Sequence, residues 1–339
     1  ACKRLSEELG RGDCEYLEYD RLITNKAVEW IRKQKKREQP NNPWVLFVSF
    51  VSPHYPLIAP PDFYDLYNDI NLPYDNYQNL SKNKLHSWVK GIRESWPYDD
   101  YMDEEKRKIA VQAYYGMCSF MDSNVGKLLT ELKQCDIYDD TTIIYASDHG
   151  ESLGNRGLWG KMTMYEDSAS IPLIIKGPNF KKNRMCKTPV TLIDLYPTIF
   201  DILSLDHVAS EANIDGQSLR SIANKTYDKN RCVISEYHGA GSYGGAFMLR
   251  MGDYKYVYYV GHEPEVFDIK SDPNETRNLA RDPSFKNEVA MLDNALRSII
   301  DPESVDEAAR NDQKKMLKDV GGIDFVLNRG NYAGTPVGS

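Results

Sequence analysis

Apolar positions along the chain follow two periodicities and one continuous pattern. Between residues 20 and 39 (DRLITNKAVEWIRKQKKREQ), Leu22, Ala27, Val28 and Ile31 make a stripe at helical spacing. A basic run closes the last turn, where cations suit the helix dipole, and Pro40 and Pro43 end the helix. Residues 44–52 (WVLFVSFVS) are almost continuously apolar, the pattern of a strand covered by helices on both faces. Residues 53–100 are rich in Pro, Tyr, Asn and Asp and read as a long, partly structured loop region over a sheet edge, where function often sits. Helical periodicity returns over 103–133, through Ile109, Ala113, Met117, Phe120 and Met121 to Leu132. Residues 141–146 (TTIIYA) and 171–176 (IPLIIK) predict two further buried strands, and 191–205 a helix.

That order of elements predicts an α/β fold, with a parallel or mixed sheet flanked by helices over residues 1–205. From about residue 206 the period shortens. Strands are predicted at 233–237, 246–251, 254–260 and 266–268, with Gly252-Asp253 turning a hairpin. Helical patterns follow at 284–300 and 305–319, then a Gly-rich tail. Residues 206–339 therefore predict a smaller antiparallel sheet with helices and an extended tail that could wrap a second copy of the chain in a homo-oligomer.

Composition narrows the partners. The 339 residues are 41% hydrophobic and 27% charged, which excludes a disordered or coiled-coil chain. Forty-two basic against fifty acidic residues give a net charge of −8, so no nucleic-acid partner is expected. No apolar run reaches membrane-spanning length, so no membrane partner is expected and the chain reads as soluble, in cytoplasm or periplasm. Residues 1–6 lack the apolar centre of a signal peptide and do not begin with Met, which suggests a processed or incomplete chain. The six cysteines form no C-x-x-C pair, so thiolate zinc and a disulfide scaffold are not expected.

Ligands of open α/β sheets bind beyond the carboxyl ends of strands, which selects among the polar residues. His54 follows the first predicted strand, Asp148 and His149 follow the second, and Lys161 lies on a loop punctuated by Gly154, Gly157 and Gly160. Parallel neighbouring strands would bring all four to one rim. Asp148 and His149 offer a carboxylate oxygen and an imidazole nitrogen to a metal. An all-oxygen set would favour calcium or magnesium, whereas an imidazole admits manganese or zinc. His54, near neutral pKa by default, suits general acid work, and Lys161 suits an anion. Singly, each such residue is more often a turn cap or a solvated side chain. Their common place on strand-end loops is what singles them out.

Four stretches resemble the type I sulfatases of the alkaline phosphatase superfamily. They are Phe47–Pro56 with Ala59–Tyr64; Ser147-Asp148-His149-Gly150-Glu151-Ser152-Leu153-Gly154; Gly157-Leu158-Trp159-Gly160-Lys161 on to Ile171-Pro172-Leu173-Ile174; and Val266-Phe267-Asp268 with Asp272-Pro273-Asn274-Glu275-Thr276. Asp-His at 148–149, in place of Asp-Asn, is similar to the branch of choline-sulfatase-like and phosphonate-monoester-hydrolase-like enzymes.

The resemblance implies an alkaline-phosphatase-like mixed sheet flanked by helices and metal-dependent hydrolysis of a small sulfated substrate. It makes Asp148 and His149 ligands of a divalent metal, calcium first with manganese or zinc open. His54 and Lys161 become catalytic contacts to the sulfate and the leaving oxygen. The stretch 235–241 looks like a substrate-pocket segment, with His238 as substrate contact. Family members also carry an N-terminal Asp-Asp pair, a Cys-x-Pro/Ala-Ser-Arg motif whose cysteine becomes formylglycine, and a Lys-x-His pair. Neither the Asp-Asp pair nor the cysteine motif occurs at the N-terminus here, no Lys-x-His pair precedes His54, and Cys2-Lys3-Arg4-Leu5-Ser6 is not that motif. The chain thus looks like the C-terminal two-thirds of a sulfatase, with an incomplete sheet to be completed by a separate N-terminal segment or chain. Phosphonate monoester or phosphodiester hydrolysis, and an inactive sulfatase-like domain, remain open as alternatives.

Overall fold

The computed structural model of the protein describes residues 2–35, 42–68, 85–205, 215–239 and 241–328. In chain order the main elements of the first part are α1 (Cys2–Glu7), β1 (Leu9–Arg11), α2 (Glu15–Gln34), β2 (Leu57–Ala59), α3 (Pro61–Tyr64), α4 (Ser87–Ser95), α5 (Glu104–Gln134), β3 (Ile143–Ala146), α6 (Glu166–Ala169), β4 (Leu173–Lys176) and α7 (Leu195–Ile202). The second part holds α8 (Leu219–Asn224), β5 (Cys232–Tyr237), β6 (Ala246–Met251), β7 (Tyr254–Tyr259), β8 (Glu265–Asp268), α9 (Lys286–Ile299), α10 (Pro302–Asp319) and α11 (Ile323–Asn328). The domain boundary expected near 206 falls at a stretch outside the described residues.

α2 and α5 form the frame of the first part. α2 opens with Glu15 and Glu18 and closes with Arg32 and Lys33, in agreement with the helix dipole. α5 is capped by Asp103, whose carboxylate accepts from the Lys106 amide at 2.8 Å. Ile31 and Leu132 pack together between the two helices, and Arg32 makes a two-pronged bond to Glu131, both arms at 2.9 Å. β1 and β2 pair in parallel and rest on α5 through Leu57, Ala59, Ala110, Ala113 and Met117.

The expected strand over 44–52 is corrected. Residues 43–50 belong to no hydrogen-bonded ladder among the described residues. Trp44 and Leu46 turn inward onto Ile31, Leu132 and Ile143, while Val45 and Phe47 face out, Phe47 with 88% of its surface exposed. The side chains thus alternate as in a strand, yet this backbone meets no strand edge. The parallel pairing of this segment with residues 141–146 is corrected as well, since β3 pairs antiparallel with β4, from Ile143↔Lys176 to Ala146↔Leu173. Neither β1 nor β2 was legible from periodicity, because three-residue strands are too short to show one.

The C-terminal half matches its pattern closely. β5 to β8 form one antiparallel sheet in sequential order. The β6–β7 hairpin turns at Gly252, whose φ of +57° costs a glycine nothing. Phe247, Leu249, Tyr256 and Val266 bury one face of the sheet against Leu292 and Leu296 of α9. The other face, with Ala246, Val257, Tyr259 and Phe267, meets Trp88 and Ile92 of α4 and Leu158, Met164 and Tyr165 of the loop before α6. The helix expected over 305–319 is present as α10 and is docked on the sheet: its Asp306 accepts from the Gly245 amide at 2.7 Å. The end of the tail lies outside the described residues.

Candidate active site

His54 stands just after the apolar segment 44–52, between the cis peptide bonds Ser52–Pro53 and Tyr55–Pro56. Its Nδ1 lies 2.7 Å from the Tyr55 carbonyl oxygen. A carbonyl can only accept, so Nδ1 carries the proton and Nε2 keeps its lone pair. Tyr16 of α2 packs edge-on to the imidazole, with ring centroids 6.0 Å apart.

Asp148 and His149 follow β3 directly. Asp148 Oδ1 accepts from the His149 amide at 3.0 Å, and Ser147 Oγ donates to the His149 carbonyl at 2.8 Å, which folds the strand end into a tight turn. His149 Nδ1 donates to the Gly150 carbonyl at 2.8 Å, leaving Nε2 3.5 Å from Asp148 Oδ2. That pairing of one ring nitrogen with a carbonyl is how proteins orient an imidazole toward a metal. The Asp148 side chain is 80% exposed and the His149 side chain about a third. Among the described residues no third carboxylate, thiolate or imidazole joins them in a metal-sized group. The chain offers one carboxylate and one imidazole side by side, a donor set that would fit only part of a coordination shell.

Glu151 and the glycines explain how Lys161 reaches the same rim. Glu151 Oε1 accepts from the amides of Leu153 at 2.9 Å and Gly160 at 2.6 Å, which closes the loop from 151 to 160 on a desolvated carboxylate. The loop reverses through left-handed residues: Gly154, Gly157 and Gly160, but also Leu153 (φ +48°) and Arg156 (φ +56°). Side chains rarely adopt that region, and Arg156 is held there by bonds to the Asn274 and Glu275 carbonyls, by Asp167 and by the Tyr165 ring 4.0 Å away. The role of Glu151 was within the quoted motif, but only the two amide bonds reveal it.

The four rim groups act on one another electrostatically. Burial lowers the pKa of His54 below its usual 6.5, and the Lys161 ammonium and His149 push it the same way while Asp148 opposes them. Burial also lowers Lys161, against the pull of Glu151 and Asp148. Burial raises Glu151, opposed by its two amide bonds and by Lys161 and His149. His54, Asp148, His149 and Lys161 are therefore near enough to act on one another, although the segment before His54 is not a strand and does not pair with β3.

His238 is placed apart. At the end of β5 it lies 3.2 Å from Glu236 and edge-on to Phe247, with Nδ1 buried and without a hydrogen-bond partner. The link from there to the rim runs through aromatics. Tyr237 and Glu151 both act on the Tyr98 hydroxyl, whose pKa burial pushes up to about 12, and Tyr98 stacks on Trp96. Sequence reading missed Tyr98 and Trp96, which lie in the Pro- and Tyr-rich stretch taken as loop. A cavity of about 460 Å³ lined by residues including Thr191, Gly216, Asp228 and Arg231 contains none of these groups.

A family model described as sulfatase matches residues 6–205, and one described as N-sulphoglucosamine sulphohydrolase, C-terminal, matches residues 154–301. A choline-sulfatase from Rhizobium meliloti (strain 1021) is 33% identical over 309 residues, covering 88% of this chain and 59% of that protein. Arylsulfatase K of Gallus gallus is 30% identical over 325 residues, covering 88% of this chain and 58% of that protein. Among solved structures, a phosphonate monoester hydrolase from Silicibacter pomeroyi superposes with a TM-score of 0.63 at 25% identity, over 80% of this chain and 59% of that one. The chain spans less than two thirds of the length of each of these relatives.

Proposed function

Because the chain belongs to the sulfatase family, we propose that it carries one wall of an active site that hydrolyses sulfate esters. The observation that supports this most is the gathering of His54, Asp148, His149 and Lys161 on one rim, each bearing charge on the next. A sulfate monoester spreads negative charge over its peripheral oxygens and departs as a basic alkoxide, so its hydrolysis needs cations and a proton donor.

Asp148 and His149 would hold a divalent cation, calcium first by family resemblance, with manganese or zinc admitted by the imidazole; when bound it would draw charge from the sulfate oxygens. Lys161 neutralises a further oxygen as a point charge. His54 Nε2 delivers the proton to the departing alkoxide. At neutral pH the resting imidazole is unprotonated, because burial and Lys161 disfavour its charge. An arriving anion reverses that balance, so the ester and the proton are bound together. Trp96, Tyr98 and Tyr237 would form the side that meets the alcohol, with His238 beyond them. The nucleophile, by resemblance a formylglycine, would come from outside these residues. So would a strand lying along residues 44–50 and β3.

A sister activity on phosphonate monoesters uses the same wall, and the superposition with a phosphonate monoester hydrolase is what favours it as the second reading. The test is kcat/KM of the intact enzyme for paired aryl sulfate and aryl phosphonate esters. The proposal expects sulfate to be preferred. A preference for the phosphonate would move the assignment, and no turnover of either would leave a binding domain.

A further inference from the structure

We propose that Asp20, on α2, is a positioning residue for His54; the inference rests on the sulfate-ester reading for its chemical consequence and on local geometry for the link itself. Asp20 is fully buried, and both its carboxylate oxygens are used. Oδ1 accepts from the Val51 amide and Oδ2 from the Ser52 amide, each at 2.8 Å. Two consecutive amides then point to one side chain, which an extended strand cannot do, since its amides alternate. At this point the chain turns, with the His54 amide donating to the Val51 carbonyl at 2.9 Å. Asp20 thus fixes the first two residues of the turn whose fourth is His54.

The same helix holds the ring. Tyr16 lies one turn before Asp20 on the same face and packs edge-on to the imidazole. α2 is itself anchored, by the two-pronged Arg32–Glu131 pair and by Arg21 over the Phe120 ring at 5.3 Å. One rigid helix therefore grips His54 from backbone and side chain, while the Tyr55 carbonyl selects the tautomer that leaves the Nε2 lone pair free.

The carboxylate is the side chain this arrangement requires. Two buried amides need two acceptor oxygens. Asparagine would satisfy one and turn an NH2 group toward the other, and alanine would leave both unmet. Asp20 touches no reacting atom and acts only through the place of His54. An error of about 1 Å in a proton donor lowers turnover about a hundredfold.

The test uses Asp20→Asn, His54→Ala and the double variant of the intact enzyme, with sulfate esters of good (aryl) and poor (alkyl) leaving groups. For the alkyl ester, Asp20→Asn is expected to lower kcat about a hundredfold with KM nearly unchanged. The aryl ester, which needs little protonation, should lose far less. The double variant should be no slower than His54→Ala alone. Equal losses on both esters, or multiplying losses in the double variant, would overturn the inference.

Nuclear magnetic resonance supplies readouts independent of turnover. The Val51 and Ser52 amides of the unsubstituted protein should exchange slowly, and rapid exchange would overturn the link even if no variant folds. The His54 ring resonances should move in Asp20→Asn, and unmoved resonances would do the same. Moved resonances with no leaving-group effect in His54→Ala would instead sustain the positioning and remove the proton-donor role.

Discussion

Burial and the neighbouring ammonium of Lys161 both disfavour the charged form of His54. That fixes the sign of a pH dependence. The protonated imidazole is the form that can donate, and its population falls as pH rises through a value below 6.5. The basic limb of kcat/KM for an alkyl sulfate should therefore inflect below 6.5 and vanish in His54→Ala; an inflection above 6.5 would contradict the environment described here. Gly150 makes a second prediction at this scale. A Cβ there would come within 2.1 Å of the Asp167 carbonyl oxygen and 2.9 Å of its carbon. Both are backbone atoms that cannot step aside. Gly150→Ala should cost about 1–3 kcal/mol of stability, read as a lowered Tm. Because the Gly150 carbonyl orients His149, metal affinity should fall with it. An unchanged Tm would mean that the loop is looser than its contacts imply.

The loop that delivers Lys161 is fastened to the C-terminal sheet by buried charge. Lys255, on β7, has no exposed surface and bonds to the Met164 carbonyl at 2.9 Å, Glu275 at 2.8 Å and Glu166 at 2.5 Å. Beside it, Glu265 accepts from the hydroxyls of Tyr165 and Tyr259, with Glu275 and Arg156 also facing it. Burial raises the Glu265 carboxyl from 4.5 to about 7. A pKa raised in the folded state adds stability that is complete below 4.5 and is lost as pH rises to about 7, a loss on the order of 3 kcal/mol. Denaturant unfolding of Glu265→Gln against the unsubstituted protein should show the difference growing in the variant's favour over that interval, and a flat difference would contradict it. These contacts also mark what the sequence could not show. Strand-end logic singled out His54, Asp148, His149 and Lys161 because short-range pattern marks where apolar segments stop. It placed neither Asp20, which acts across 31 positions, nor the Arg156–Glu275 tie across 119, because such pairs leave no period. The strand over 44–52 was misread for a related reason: apolar content records a demand for cover, not whether a neighbour meets it.

At the scale of the molecule, that unmet demand is visible. Val45 (55%), Phe47 (88%) and Ile174 (63%) stand exposed on the segment before His54 and on β4. A side chain of this kind gains about 1.5–3 kcal/mol on burial, so such a surface attracts any apolar partner. The 339-residue chain should self-associate with rising concentration and bind a hydrophobic dye, and Val45→Thr with Phe47→Ser should reduce both; a monomer that binds no dye would remove the expectation of a completing strand. No helix among the described residues is long and apolar enough to cross a membrane, so this surface is not read as a spanning segment. The account as a whole depends on one rim serving one cation and one oxyanion. Anomalous diffraction from crystals grown with Mn2+ and sulfate tests that directly. The account predicts manganese on the Asp148 carboxylate and His149 Nε2, with sulfate between it and Lys161 and within reach of His54. Manganese bound elsewhere, or sulfate that contacts neither Lys161 nor His54, would contradict it.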